Sequence, residues 1–342
     1  MTVPSLLLKL LFFCATAGAA PLSAPLVVPP VGHRSPEALA ALQSGRDLLQ
    51  QGDAAGAEAA WRQGLALGDD NGLLYSLGGL LFQTDRLRQA EACFQRLVQD
   101  APDWADAWFQ LGLVRAARGR YKDAVDAQRL AVGHAPQFSQ AYCALALDLR
   151  ETGKISEALH AAEEAIRLMP GYAGAWNLRA ALEQDQGDDD SALRDYQQAL
   201  RLQPRYAGAW FNLAEMQDKR SQKSEAFKSY TYALQMKPDM ADAWLQRAEL
   251  SLDRHDWDAA EADFKAVTRI SGSEAEAWWG LSRVAKARGQ KSEAAECLVR
   301  YRSAVRRRDR TIESDREKGI ETPVAYEPGL PLASSQAPVL TP

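Results

Sequence analysis

The stretch that decides the fold is the pentapeptide YAGAW, which occupies residues 172–176 and occurs again at residues 206–210. Each copy begins two residues after a proline, Pro170 or Pro204, so the two copies are in the same frame and 34 residues apart. A period of this length is typical of arrays in which every repeat is one supersecondary unit. The repetition therefore predicts a chain built from stacked units.

Prolines extend this period over most of the chain. They recur every 34 residues, at Pro102, Pro136, Pro170, Pro204 and Pro238. A segment of this length accommodates two helices of about 12 to 14 residues with short turns, which is a helical hairpin. Because proline cannot continue a helix, each proline is expected to end the second helix of one hairpin before the next hairpin begins.

Three other positions recur with the same period. An aromatic residue occupies the first, at Trp108, Tyr142, Trp176, Trp210, Trp244 and Trp278. A small residue follows four positions later, at Gly112, Ala146, Ala180, Ala214, Ala248 and Ser282. Alanine follows twelve positions after that, at Ala124, Ala158, Ala192, Ala226, Ala260 and Ala294. Upstream the pattern continues through one unit with Leu74, Gly78 and Ala90 and a weaker one with Ala41, Gly45 and Ala57, which makes eight units.

Each recurring position has a physical reason. The two small positions mark where the antiparallel helices of a hairpin cross closely. The tryptophans are expected to fill the space between neighbouring hairpins, and in YAGAW the alanine and glycine are expected to allow close approach to the preceding unit. Aromatic residues of the second helices add volume, at Phe94, Tyr196, Tyr230 and Phe264. Glycines are expected to end the first helices, at Gly119, Gly153, Gly187 and Gly289.

The pattern resembles the tetratricopeptide repeat, and one unit carries it almost complete, in Trp108, Leu111, Gly112, Ala124, Ala131 and Pro136. The resemblance covers residues 38–308 in eight units, which are 38–70, 71–104, 105–138, 139–172, 173–206, 207–240, 241–274 and 275–308. Four positions depart from the pattern. Arg115 replaces an aromatic residue, Arg179 and Arg247 replace leucines, and the first unit lacks its large anchor residue.

This resemblance implies an all-α fold, an α-solenoid of about eight stacked helix-turn-helix repeats that forms a right-handed superhelix. It also implies that the first helices make the concave wall and that the ligand is an extended or helical segment of a partner protein. Some members of the family bind a C-terminal carboxylate through a lysine and an asparagine. The matching positions here hold Leu42, Tyr75 or Phe109 and Arg46, Gly79 or Leu113, so such a clamp is not predicted.

The two ends of the chain have a different character. Residues 1–19 look like a secretory signal peptide, with cleavage before Ala20, and residues 20–37 look like a proline-rich linker. Residues 309–318 are predicted to end a terminal solvating helix, and residues 319–342 to form a disordered proline-rich tail. The predicted location is the periplasm or the extracellular space. A membrane anchor, lipidation at Cys14 and a cytoplasmic protein with an unprocessed N-terminus are the alternatives.

Catalysis is not predicted. Three of the four histidines, His134, His160 and His255, lie at different phases of their repeats, and the chain contains no HExxH motif and no glycine-rich phosphate loop. Without Cys14, three cysteines remain and none of them is in a CxxC pair, so neither a disulfide framework nor a zinc site is indicated. No cofactor, metal or small-molecule substrate is expected. Residues 188–190 are three aspartates, which are interpreted as a helix cap rather than as calcium ligands.

The overall charge of the chain excludes few kinds of partner, but it favours a protein partner. The net charge is −5, which does not suggest nucleic acid. The arginines near the end of the last unit complement a helix dipole, and contact with an anionic membrane is the alternative that is not favoured.

The phase of the repeat also predicts which residues face the groove. The position after the tryptophan provides aromatic anchors and one amide, and the next position provides further amides; an acidic stretch follows toward the C-terminal half. The predicted peptide-binding residues are Tyr75, Phe109, Gln110, Asn177, Phe211, Asn212, Glu215, Gln246, Glu249 and Trp279. The alternative for each aromatic residue is ordinary packing between repeats.

Two functions are compatible with this sequence. The first is a non-catalytic scaffold or adaptor that binds partner peptides in its concave groove. The second is a structural or assembly subunit of a bacterial envelope complex that uses the outer surface or the proline-rich ends.

Overall fold

The structure is a computed structural model that describes residues 35–270 and 274–317. Within these ranges the regular structure consists of 16 helices and no strand. The helices are α1 Pro36–Gln50, α2 Ala54–Leu67, α3 Asn71–Gln83, α4 Leu87–Asp100, α5 Ala105–Ala117, α6 Tyr121–His134, α7 Ser139–Glu151, α8 Ile155–Leu168, α9 Ala173–Gln186, α10 Asp189–Leu202, α11 Ala207–Lys219, α12 Lys223–Met236, α13 Ala241–Asp253, α14 Trp257–Arg269, α15 Glu274–Ala287 and α16 Lys291–Glu317.

Consecutive helices form eight hairpins, and each hairpin stacks on the next. The two helices of a hairpin make the most extensive contacts, and each second helix also packs on the first helix of the following unit. The predicted all-α solenoid of eight units is therefore confirmed. The predicted signal peptide and most of the linker, as well as the predicted tail, lie outside the described residues.

The small positions lie where the helices cross, as the sequence predicts. Ala124, Ala158 and Ala192 have no exposed surface, and neither have their counterparts Ala146, Ala180 and Ala214 on the first helices. In the third unit the first helix comes so close that a Cβ on Gly112 would lie 2.3 Å from Nε2 of Gln128. A larger side chain at these positions would separate the helix axes.

The tryptophans have a second role that the sequence analysis missed. Nε1 of Trp176 donates a hydrogen bond to the carbonyl oxygen of Pro170 at 2.8 Å, and Trp108, Trp210 and Trp244 make the same bond six residues back. Each indole therefore closes the turn that precedes its own helix. The proline both ends a helix and presents a fixed carbonyl acceptor.

The glycine of YAGAW leaves room for the tyrosine that begins the same pentapeptide. A Cβ on Gly174 would lie 2.8 Å from Cζ of Tyr172, and a Cβ on Gly208 would lie 3.2 Å from Cε2 of Tyr206. The tyrosine ring thus folds over the start of its own helix, and glycine leaves room for it there.

Trp61 supplies the large residue that the first unit was expected to lack. It lies on the second helix, is 2% exposed and packs against Gly45, where a Cβ would be 2.1 Å from Nε1. Nε1 also donates to the carbonyl oxygen of Leu42 at 3.4 Å. The anchor therefore comes from the other helix of the hairpin, at the position that Phe94 occupies in the second unit.

Arginines at unusual positions pair with carboxylates inside the solenoid. Arg179 makes two hydrogen bonds to Asp195, at 2.5 and 2.9 Å, and Arg247 makes two bonds of 2.8 Å to Asp263. Their guanidinium groups also lie over the rings of Trp176 and Trp244. Two parallel bonds and a ring face stabilise a partly buried guanidinium well. The departures from the leucine position are therefore compensated within the same hairpin.

Arg115 belongs to a cluster between the second and third units. Glu91 on α4 is 3% exposed and accepts hydrogen bonds from Arg115 at 3.4 Å, Arg120 at 2.7 Å and Arg118. An equivalent pair recurs five units later, where Arg288 bonds to Glu261. These bonds join the second helix of one unit to the next unit, so charge contributes to stacking at both ends of the array.

The turns inside the hairpins require a left-handed backbone. The predicted glycines Gly119, Gly153, Gly187 and Gly289 have φ values of 74°, 76°, 84° and 76°. Asp85, Ser221 and His255 occupy the same turn in other units with φ values of 60°, 60° and 57°. Since L residues are disfavoured in this region, glycine is the better residue at this position.

Replacing Gly153 with alanine is expected to lower the free energy of unfolding by about 1 to 2 kcal/mol, because a side chain is strained in the left-handed region. Gly79→Ala is the matched control, since an added Cβ meets no atom within 4 Å at either position and Gly79 lies inside α3. The control is expected to gain about 0.5 to 1 kcal/mol. Denaturant unfolding measures both, and equal stability of the two variants would contradict the assignment.

Glu183 is expected to make the fold less stable as the pH rises. Burial raises its pKa to about 7, and the charge of nearby Asp195 acts in the same direction. A carboxyl whose pKa is higher in the folded than in the unfolded state stabilises the fold below its unfolded pKa and loses that contribution as the pH rises through about 7. Glu183→Gln should remove this loss.

The test measures the free energy of unfolding of the wild type and of the Glu183→Gln variant, each at acidic and at mildly alkaline pH. The variant should gain stability relative to the wild type as the pH increases. A difference between the two proteins that does not change with pH would show that Glu183 keeps an ordinary pKa.

Candidate peptide-binding site

The first helices form the inner row of the solenoid. Most successive first helices touch one another, as α3 does α5 and α13 does α15. In the described part of the chain, α11 makes no more than marginal contact with α9 and α13, and the same holds for successive second helices. Stacked elements that are closer together on one side curve toward that side. The side with the first helices is therefore concave.

Side chains connect neighbouring helices along this inner row. Gln110 donates to the hydroxyl of Tyr75 at 3.2 Å, and Asn212 donates to Asn177 at 3.1 Å. The four residues were predicted to face the groove, and each bond joins positions 35 residues apart on successive first helices. The structure therefore brings these predicted residues together in pairs.

The aromatic residues of the row have one packed side. Tyr75 stacks on Trp104 at 5.1 Å, Phe109 packs on Phe138 at 4.9 Å, and Phe211 packs on Tyr230 at 5.7 Å. Trp279 lies 5.7 Å from Tyr301 of the last helix. All four remain partly exposed. They therefore contribute to packing and still keep part of their surface exposed.

Phe109 has an additional backbone support. Its carbonyl oxygen accepts a hydrogen bond of 3.2 Å from Nε2 of Gln128, which has no exposed surface. Gln128 stands where other second helices carry an aromatic residue, such as Phe94 or Tyr196. The amide thus replaces ring packing by a bond that holds the first helix at this point.

Most charges of the predicted acidic stretch are paired. Arg283 bonds to both carboxylate oxygens of Glu249, at 2.8 and 2.7 Å. Lys223 lies 2.7 Å from Asp218. Glu215 is the exception, because no cation bonds to it among the described residues. Burial raises its pKa, and Asp242 acts in the same direction while Lys219 opposes this effect.

Two bonds between inner residues were not predicted. Arg150 bonds to Asp185 of the next unit at 2.5 and 3.2 Å, and Asp106 bonds to the hydroxyl of Tyr75. Asp106 and Asp242 occupy the position that holds glycine in YAGAW. The sequence signal for these polar residues was the alternation of glycine and aspartate at this position. A position that faces the groove tolerates a polar side chain, whereas a helix crossing does not.

Three features are absent from the residues that the structure describes. No group of three or more His, Cys, Asp or Glu side chains there is arranged to hold a metal ion. Cys93, Cys143 and Cys297 form no disulfide with one another in the described ranges. No helix in the described ranges is both long and apolar enough to cross a membrane.

Comparison with known proteins agrees with this architecture. A family model described as tetratricopeptide repeat matches residues 42–103, 75–139, 143–193, 217–271 and 245–306, and a second model, described as TPR repeat, matches residues 182–217. No curated protein matches the chain significantly.

Solved structures show the same fold at low sequence identity. A tetratricopeptide repeat protein from Parabacteroides merdae is 14% identical with a TM-score of 0.63, over 73% of this chain and 99% of that chain. PilF from Pseudomonas aeruginosa is 19% identical with a TM-score of 0.53, over 60% of this chain and 98% of that one.

The APC/C hetero-tetramer Cut9–Hcn1 contains a chain that is 18% identical, with a TM-score of 0.57. That match covers 74% of this chain and 47% of the other. Together with the eight stacked hairpins and their small crossing residues, the matched ranges lead to one conclusion: this chain belongs to the tetratricopeptide repeat family.

Proposed function

We propose that this protein is a non-catalytic interaction scaffold that binds an extended segment of a partner protein along its concave inner row. The observation that carries the proposal is the composition of that row. Partly exposed aromatic rings at Tyr75, Phe109 and Phe211 alternate along it with the side-chain amides of Gln110 and Asn212.

These two groups of side chains suit a peptide. Aromatic rings provide large apolar contact area with little loss of conformational entropy. Amides can donate to and accept from the backbone of an extended chain, so they support binding that depends only weakly on the peptide sequence. The remaining residues proposed to contribute, Asn177, Glu215, Gln246, Glu249 and Trp279, belong to the same row.

The first helices also provide a rigid support. Bonds between successive first helices, such as those of Asn177 with Asn212 and of Arg150 with Asp185, hold the row in one arrangement before any partner arrives. A preorganised surface loses less entropy on binding than a mobile one.

Peptide binding by a Phe109→Ala, Phe211→Ala double variant is expected to be at least about tenfold weaker than binding by the wild type, because aromatic anchors dominate binding energies. Capture of peptides from an immobilised array measures this. A Leu130→Ala, Leu202→Ala variant is the matched control, since both leucines are exposed on second helices. Thermal unfolding establishes that both variants are folded.

Equal binding by the wild type and the phenylalanine double variant would count against the inner row. Loss of binding in the leucine variant would favour the outer surface and therefore the assembly-subunit function. Removal of residues 319–342 separates the two functions further, because binding in the groove does not require that segment, whereas assembly through the proline-rich tail does.

Export to the periplasm or the extracellular space is proposed from the apolar segment of residues 10–20, which follows Lys9. Fractionation of cells and determination of the N-terminal residue should find a mature chain that begins at Ala20. A cytoplasmic protein that retains Met1 would contradict export and would leave the groove proposal untouched.

A further inference from the structure

The inner row contains the same arrangement twice, with one difference. Tyr75, Asp106 and Gln110 in the second and third units correspond to Phe211, Asp242 and Gln246 in the sixth and seventh units, four periods later. In the first set the tyrosine hydroxyl bonds to the carboxylate of Asp106 and accepts from Gln110 at 3.2 Å. Every polar group of that set therefore has a partner.

The second set lacks the hydroxyl that holds the first set together, because it has Phe211 in place of tyrosine. Phe211 cannot bond to Asp242 or Gln246, and the structure gives neither side chain another hydrogen bond or ion pair among the described residues. From their equivalence to Asp106 and Gln110, we expect a carboxylate and an amide near the ring of Phe211, with their bonding capacity unused.

Glu215 adds a third group to this set. It lies one turn after Phe211 on α11, so both side chains are on the same face of the helix. Its neighbours at the same position of the adjacent first helices are Ala181 and Glu249, and the guanidinium of Arg283 is already bonded to Glu249. Arg150 is likewise bonded to Asp185. Lys219 and Arg150 act on the Glu215 carboxyl only at longer range, because neither of them makes a hydrogen bond or ion pair with it among the described residues.

The next carboxylate in the row indicates which occupant fits. At Glu249 the chain itself supplies a guanidinium, whose Nη1 lies within 2.8 Å of both oxygens. Glu215 offers the same acceptor from the equivalent position, with a second carboxylate at Asp242 and the ring of Phe211 nearby. Carboxylates form their strongest hydrogen bonds with cations, and an aromatic face attracts cations as well.

We propose that the partner segment places the charged end of a lysine or arginine side chain among Glu215, Asp242 and Gln246, against the ring of Phe211. This inference rests on the proposed function and specifies its partner: an extended segment with apolar residues for the aromatic positions and one basic residue at a fixed distance from them. The set defined by these four residues is called the cation cradle below.

Random-sequence peptides displayed on phage are selected on the full-length wild type to test the proposal. The selected peptides should share a lysine or arginine at one fixed spacing from apolar residues. A synthetic copy of a selected peptide, and its analogue with methionine in place of that basic residue, then give dissociation constants by fluorescence anisotropy at low and high salt.

Two variants test the cradle by different means. Glu215→Gln removes a charge with little change in shape. Phe211→Tyr introduces a hydroxyl that can bond to Asp242 and Gln246, as Tyr75 bonds to their counterparts, and thereby closes the cradle. Each variant should bind the basic peptide at least about tenfold more weakly than the wild type does, as expected for loss of a charged hydrogen bond. Binding of the methionine analogue should barely change.

Each variant has a matched control. Glu157→Gln removes the same charge from the second helix α8, and Tyr232→Phe makes the reverse aromatic change at an exposed ring of the second helix α12, outside the inner row. Both should bind the basic peptide within about twofold of the wild type, since neither group contacts the cradle. The salt dependence of binding should fall in the Glu215→Gln variant and stay unchanged in the Glu157→Gln variant.

The outcomes separate the two proposals. Two results would overturn the cation cradle and leave the groove in place, provided that the selected peptides lose affinity for the Phe109→Ala, Phe211→Ala variant. In the first, the selected peptides carry no common basic residue. In the second, they bind the Glu215→Gln and Phe211→Tyr variants as well as they bind the wild type. Selection of no peptide on the wild type beyond the level of the double phenylalanine variant would overturn both.

Discussion

Close crossing of two helices within each unit is the constraint on which the rest of the structure depends. Ala124, Ala158 and Ala192, with small residues opposite them on the first helices, have no exposed surface at these crossings. Because the backbones approach there, the second-helix aromatics fill the remaining space inside the hairpins, as Trp61 does against Gly45 and Phe94 against Gly78. One hairpin cannot bury its apolar face alone, so only the stacked array acquires a continuous core.

Polar side chains lie in this core only where another residue of the same hairpin or of the next unit forms a hydrogen bond or ion pair with them. Arg179 and Arg247 replace leucine, and Asp195 and Asp263 stand 16 residues later to receive both guanidinium bonds. Glu91 is buried between arginines of the following unit. Losing one member of such a set would leave an unpaired buried charge, so these positions are coupled and are expected to tolerate change only together.

The inner row shows how a periodic scaffold produces a non-periodic surface. Positions at the same phase become neighbours on successive first helices, and the identity of each neighbour decides whether a polar group is engaged. Tyr75 engages Asp106 and Gln110, whereas Phe211 leaves the corresponding aspartate and glutamine open. A single hydroxyl therefore distinguishes a structural contact from a surface available to a partner.

The sequence by itself determined the fold class, the number of units and the crossing positions, because a strict period of 34 residues with small side chains in phase is compatible with few structures. It also predicted that Tyr75, Gln110, Asn177 and Asn212 share a face. Only the tertiary structure decided which of them bond to each other, that the indoles bond to proline carbonyls, and that Gly174 makes room for its own tyrosine. The period of the repeat specifies on which face of its helix a side chain lies. The residue to which that side chain bonds depends on the curvature and spacing of the neighbouring units.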